Sequence, residues 1–356
     1  EVMMSRALDF RRQAIVNLVA AFAGAGTALG CALAGYGVWT LVYAPIALFW
    51  TRALGLTIAA RLLVWPSFDF RGCGQIVGFG SAVLFSQFFW LVQSQSDIFI
   101  AGSRFEPHAL GLYAEALFLA QIFMAKFVPP LNEVAFPAYS RIKHDLAAVQ
   151  WSFLKTVRLL TLVAAPFYCG LAVVAAPMVE TLFGTKWLGM APYIQLLSLA
   201  LLVMTVQILF APVNNALGKP SLSMFASLGG AFIFPTAFLI GANWGLEGIA
   251  WAWLVAAPLL LLVTARLSAP LIGVSLLDIG RAMLPGLAPA LVMAIGVGVA
   301  EQSLGALGWA APIRLALLVA MGVALYAALL WLLEREAIAE VSRLVIRRRP
   351  PVQDAI

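Results

Sequence analysis

Ten apolar runs, each long enough to cross a lipid bilayer, constrain this chain more than any other feature. They are Ala14–Ala34, Trp39–Ala60, Ile76–Ile100, Leu110–Pro130, Val157–Met178, Met190–Val213, Leu222–Ile240, Leu246–Leu267, Ala282–Val299 and Ala311–Leu333. About 20 apolar residues in a helix cover a hydrocarbon core roughly 30 Å thick. Inside that core every backbone N–H and C=O must be satisfied within the chain, and the helix is the open-ended structure that does so. The expected fold class is therefore an all-α polytopic membrane protein of about ten transmembrane helices. Composition closes the main alternative. Of 356 residues, 63% are hydrophobic and 11% charged, against roughly 45–50% and about 25% in soluble domains. A water-soluble enzyme of this length cannot hide so much apolar surface.

Lys and Arg orient the stack. With the N-terminus in the cytoplasm, inside connections and tails carry 18 basic residues, from Arg6, Arg11 and Arg12 to Arg347, Arg348 and Arg349. Opposite connections carry three, Arg104, Lys186 and Arg314, while Lys126 lies within a span. That bias at alternating loops places both termini in the cytoplasm. The net charge of +6 is thus a topology signal. Basic patches interleaved with aromatics, as nucleic-acid binding needs, are absent. The three cysteines, Cys31, Cys73 and Cys169, are widely spaced and read as small apolar fillers. No secretory leader is visible, and the initial Glu1 suggests that the true start lies upstream.

The expected outside loops are Gly35–Val38, Ala101–Ala109, Val179–Gly189, Gly241–Gly245 and Ala300–Ala310. None can house a catalytic domain. The longer cytoplasmic connections are expected at Arg61–Gln75 and Asn132–Thr156. Phosphate-loop, nucleophile-elbow and zinc-protease motifs are missing. Pro129, Pro130, Pro166, Pro192, Pro235, Pro285 and Pro289 either bend helices for transport or reflect the commonness of proline in membrane helices. Gly26/Gly30 and Gly74/Gly78 form G-x-x-x-G pairs that permit close helix approach.

Ionisable groups at membrane depth are expensive, on the order of 2.5–3.5 kcal/mol by insertion scales. They should face a cavity or a partner. In the third run Ser86, Trp90, Gln93 and Asp97 recur at helical spacing and share a face. In the fourth, Glu115 and Lys126 lie eleven residues apart and also share a face, extended by Glu133. These two helices are expected to line one side of a hydrophilic cavity. Local roles compete: Asp97 as a helix cap or a partner of Arg104, Glu115 as a complement to the helix dipole, Lys126 snorkelling to the interface. Arg52 and Arg158 sit near cytoplasmic helix ends, where topology also accounts for them, and His108 and His144 read as loop residues.

Several segments then carry a family resemblance. Ala7-Leu-Asp-Phe-Arg-Arg, Gly35-Tyr-Gly-Val-Trp-Thr-Leu-Val, Asp97-Ile-Phe-Ile-Ala-Gly, Leu110-Gly-Leu-Tyr-Ala-Glu-Ala, Ala135-Phe-Pro-Ala-Tyr-Ser-Arg, Leu182-Phe-Gly-Thr-Lys-Trp and Ala216-Leu-Gly-Lys-Pro occur in the order of one family. The chain resembles the lipid-linked oligosaccharide flippases (teichuronic-acid-type polysaccharide exporters) of the multidrug/oligosaccharidyl-lipid/polysaccharide exporter superfamily. The resemblance implies the C-terminal part of a two-lobed exporter of 12–14 helices, with about four N-terminal helices missing. Residues 1–60 would then end the first lobe and 61–75 link the lobes. Residues 76–272 would form a six-helix second lobe, 273–333 two additional helices, and 334–356 a basic cytoplasmic tail.

The implied substrate is an undecaprenyl-pyrophosphate-linked glycan, such as an O-antigen, capsule or exopolysaccharide repeat unit. It would be flipped across the bacterial cytoplasmic (inner) membrane by alternating access. Lys126, Arg52 and Arg158 are the cationic candidates for the pyrophosphate, with Gln93 and Trp90 lining the glycan cavity. Asp97 and Glu115 are the candidates for coupling to H⁺ or Na⁺, and no cofactor is implied. Membrane lipids and polysaccharide polymerase or export machinery are the further partners. Competing readings are a cation-coupled multidrug antiporter of the same superfamily and a membrane-embedded glycan polymerase or ligase.

Overall fold

A computed structural model describes residues 10–59 and 74–333. The chain forms two compact units, Glu1–Gln75 and Ile76–Ile356. Most of the expected 61–75 linker, the tail from 334 and Cys73 lie outside the described residues, as do the side chains of Ser86 and Glu133 and the surroundings of the Gly74/Gly78 pair.

In the first unit, helices α1 (Phe10–Leu33) and α2 (Thr40–Ala59) pack together across the turn Gly37–Trp39. Gly24 and Gly55, rather than the expected pair, make their contact close. A Cβ on Gly24 would sit 3.0 Å from Leu48 Cβ, and one on Gly55 would sit 2.7 Å from Val16 Cγ1. Gly26 and Gly30 meet nothing within 4 Å. Spacing alone does not tell which side of a helix meets its partner.

The second unit holds α3 (Gly74–Arg104), α4 (Pro107–Ile142), α5 (Leu146–Val173), α6 (Ala175–Leu182), α7 (Ala191–Gln207), α8 (Phe210–Ala216), α9 (Pro220–Gly241), α10 (Gly245–Ile272), α11 (Leu276–Ala306) and α12 (Ala311–Leu333). No strand occurs among the described residues. All ten expected runs fall on helix, two of them interrupted, at Val174 and at Ile208–Leu209. Among the described residues eight helical stretches are long and apolar enough to span a membrane, and one of these, Pro220–Ile272, contains both α9 and α10. The chain is an all-α polytopic membrane protein.

The structure shortens several expected loops, Ala101–Ala109 and Ala300–Ala310 among them, and one most of all. The connection expected over Asn132–Thr156 is helix on both sides of a turn of three residues, Lys143–Asp145. Polar residues such as Asn132 and Arg141 lower the hydropathy where α4 leaves the apolar core, yet they do not end the helix. At 36 residues α4 is about 54 Å long, well beyond a core of roughly 30 Å. Asp145 starts α5 by accepting a hydrogen bond from Ala148 N at 3.1 Å. Pro129, Pro130 and Pro137 sit inside α4, whereas Pro192 lies in the first turn of α7, where it suits a helix start.

Helix α5 runs along α11, α10 packs on both α9 and α7, and α4 touches α7 and α8. Gly286 permits the α5–α11 approach, since a Cβ there would lie 2.7 Å from the Thr161 and Leu162 backbone. The α9–α10 hairpin turns at Gly245, whose φ of +82° favours glycine. Beside that turn Gly241 and Gly248 face each other so closely that a Cβ on either would collide with the other's carbonyl oxygen. Two apolar clusters form the interior. One gathers Tyr113, Tyr168, Phe234, Phe238 and Trp253; the other gathers Phe153, Val157, Phe210 and Ile272.

Candidate functional site: a buried carboxyl beside a polar cavity

Asp97 is the one buried carboxyl among the described residues, with no exposed surface. Three helices hold it. Tyr113 Oη on α4 donates to Asp97 Oδ2 at 2.8 Å. Trp253 Nε1 on α10 donates to the same oxygen at 3.3 Å and to Tyr113 Oη at 3.0 Å. The other carboxyl oxygen accepts from Ile98 N at 2.8 Å. The triad therefore ties α3, α4 and α10 together through one carboxyl. Aromatic packing fixes its members. Phe234 meets Trp253 edge-on at 5.0 Å, and Tyr193 meets Tyr113 at 5.7 Å. Of the local roles open to Asp97, capping the helix end and pairing with Arg104 are not what these hydrogen bonds describe.

Trp253 also lines a cavity of about 440 Å³ within the second unit. Its walls come from α3, α4, α7, α8, α9 and α10. The break between α7 and α8 adjoins it, with Ile208, Phe210 and Ala211 on the wall. Discontinuous helices free backbone groups and recur at transport sites. Trp90 and Gln93 line the cavity, whereas Asp97, placed on the same face by spacing, does not. Gln93 is buried because α9 has no side chain at Gly230: a Cβ there would collide with the Gln93 amide oxygen.

Other expected site residues are elsewhere. Glu115 and Lys126 are both exposed on α4. At 100° per residue they lie roughly 120–140° around the helix from Gln121, whose neighbours Leu117, Met124, Ala125 and Val128 line the cavity. They share a face, but a different one. Arg158 is half-buried on α5 and is not among the lining residues. Arg52 is half-buried on α2, in the first unit.

Sequence reasoning missed several polar members. Gln207 Nε2 donates to Thr264 Oγ1 at 3.2 Å, and Asn214 Nδ2 donates to Ser268 Oγ at 2.9 Å. Thr264 and Ser268 lie four apart, the same helical spacing that singled out Gln93 and Asp97, while the break at Ile208–Leu209 separates Gln207 from Asn214. Trp253 carries no such signal among 11 tryptophans. No group of three or more His, Cys, Asp or Glu suited to a metal occurs among the described residues.

Residues 1–192 match the sequence profile of the polysaccharide biosynthesis protein family. The chain belongs to that family. A teichuronic acid biosynthesis protein, TuaB of Bacillus subtilis (strain 168), is 27% identical over 268 residues, 74% of this chain and 55% of its own length. The succinoglycan biosynthesis transport protein ExoT of Rhizobium meliloti (strain 1021) is 24% identical over 98% of this chain and 71% of its own. The chain thus spans about half the length of the first of these relatives. Its fold is similar to that of the lipid II flippase MurJ in an inward closed conformation, with a TM-score of 0.65 at 13% identity. That match covers 92% of this chain and 66% of MurJ.

Proposed function

We propose that this family member works as part of an alternating-access transporter that flips a polyprenyl-pyrophosphate-linked oligosaccharide across the bacterial inner membrane. It is read as a transporter rather than an enzyme, with both termini in the cytoplasm. The observation that carries the reading is a cavity lined by carboxamides and hydroxyls inside an apolar helical bundle, one of whose lining residues, Trp253, donates to a buried carboxyl, in a chain whose relatives include a named succinoglycan biosynthesis transport protein.

The physical argument has three parts. The glycan is polar and cannot cross hydrocarbon unaided, so its path needs hydrogen-bonding walls. The pyrophosphate is anionic and needs cationic partners, for which Lys126, Arg158 and Arg52 are the candidates. Coupling needs a group whose charge state differs between conformations. Asp97 fits, because its three donors sit on its own helix and two others, and a proton or sodium ion on the carboxyl would compete with them. Glu115 is the second coupling candidate, at the exposed face of α4.

Complementation tests the proposal. The complete reading frame is expressed in a bacterium lacking its own lipid-linked oligosaccharide flippase, and surface glycan is read on gels. Rescue by the wild type and loss of rescue with Asp97→Asn are expected. Drug resistance without surface glycan, from protein confirmed in the membrane, would favour the antiporter reading instead.

A further inference from the structure

The lining of the 440 Å³ cavity is more selective than transport of a lipid-linked glycan alone requires. Among the described residues no Asp, Glu, Lys, Arg or His side chain lines it. The polar groups are carboxamides, chiefly Gln93, Gln121, Gln207 and Asn214, with hydroxyls between them. Each carboxamide offers both a donor and an acceptor, as does each hydroxyl of a sugar. Asn214 is fully buried, and both hydrogen bonds on its nitrogen go to serines, Ser268 at 2.9 Å and Ser223 at 3.4 Å. Its Oδ1 has no hydrogen-bond partner among the described residues.

The apolar part of the wall is mostly aliphatic and carries three aromatic rings, Trp90, Phe210 and Trp253. Trp253 gives its N–H to Tyr113 and Asp97 and also lines the cavity. Trp90, 54% exposed, lines it too. Such a site disfavours two parts of a lipid-linked glycan. A pyrophosphate or a uronate would enter without a counter-charge, and an isoprenoid chain would leave the hydrogen-bonding groups of Gln93 and Gln121 without a partner. A neutral sugar ring, with hydroxyls at its rim and C–H faces for the indoles, satisfies both kinds of wall. The volume falls within the roughly 300–1,000 Å³ of small-molecule pockets.

We infer that this cavity is a subsite for an uncharged sugar ring of the transported glycan, apart from the groups that hold the pyrophosphate. The inference rests on the transport reading for its ligand. The full chain in phospholipid nanodiscs, free of glycosidic detergent, is titrated with methyl glucoside, galactoside and mannoside, and with methyl glucuronide as the anionic counterpart. Saturation-transfer NMR reads binding.

Transfer to at least one neutral glycoside is expected, with the glucuronide bound at least about tenfold more weakly. Gln121→Leu and Gln207→Leu should each weaken the neutral ligand about tenfold, the effect of one lost hydrogen bond. Equal binding of the glucuronide by the wild type would overturn the inference without relying on any variant. So would unchanged binding in both variants when they elute and melt as the wild type does. Restored surface glycan with no glycoside binding would sink the sugar subsite alone. Glycoside binding by a chain that restores no glycan would sink the transport reading and leave the subsite standing.

Discussion

Removing one oxygen atom tests the centre of the second unit. Tyr113→Phe keeps the ring, its packing on Tyr193 and its buried volume, but deletes the hydroxyl. Two interhelical hydrogen bonds go with it: the one given to Asp97 at 2.8 Å and the one accepted from Trp253 at 3.0 Å. Only the longer Trp253–Asp97 bond, 3.3 Å, still joins α3 to another helix at the carboxyl. Interhelical hydrogen bonds inside membranes contribute about 0.6 kcal/mol on average and up to about 1.7, so the loss should be about 1–3 kcal/mol. At roughly 2–4 °C per kcal/mol, the midpoint of thermal unfolding should fall by about 5 °C. Fluorescence-detected size exclusion after heating measures it. Trp253→Phe and the double variant complete a cycle, and the two effects should fall short of additivity by more than about 0.5 kcal/mol because they share one network. A Tyr113→Phe protein that melts with the wild type, or strictly additive effects, would refute the triad.

Three further outcomes follow from the packing and the proposed roles. Gly286→Val forces side-chain atoms against the Thr161 backbone, so α5 and α11 must separate; a penalty of about 1–3 kcal/mol or more should appear as loss of monodisperse protein. Lys126→Ala and Glu115→Gln, both exposed, should leave the melting midpoint unchanged while lowering surface glycan in the complementation strain. Unchanged glycan in both would end their assignment to substrate and ion. The Arg314–Glu180 pair at 3.2 Å joins α12 to α6 but is partly exposed; Arg314→Ala should therefore change stability by no more than about 1 kcal/mol in a thermal scan.

How much of this was legible in the sequence depends on the range of each interaction. The helices were, because lipid demands long apolar runs and hydropathy reports them directly. The face carrying Trp90, Gln93 and Asp97 was too, since a local period of 3.6 residues sorts the residues of one helix by direction. What that face meets was hidden. Tyr113 follows Asp97 by 16 positions and Trp253 by 156, and neither stands out in a chain with 12% aromatics. Periodicity also cannot rank two faces of one helix. Glu115 and Lys126 mark a side of α4 correctly as shared, while Gln121 marks the side that meets the cavity. The end of α4 was misread for a related reason: hydropathy reports where a helix leaves lipid, and Asp145 decides where the next one starts.

The paired glycines beside the α9–α10 turn bear on how such a sequence can drift. At most close contacts a larger residue on one side is tolerated when its neighbour shrinks. Here each missing side chain would strike a carbonyl oxygen, and no substitution removes a carbonyl. Neither Gly241 nor Gly248 can then be rescued by change at the other, and a lineage that loses one must move a whole helix to survive. Such positions should vary together with the hairpin's geometry or not at all.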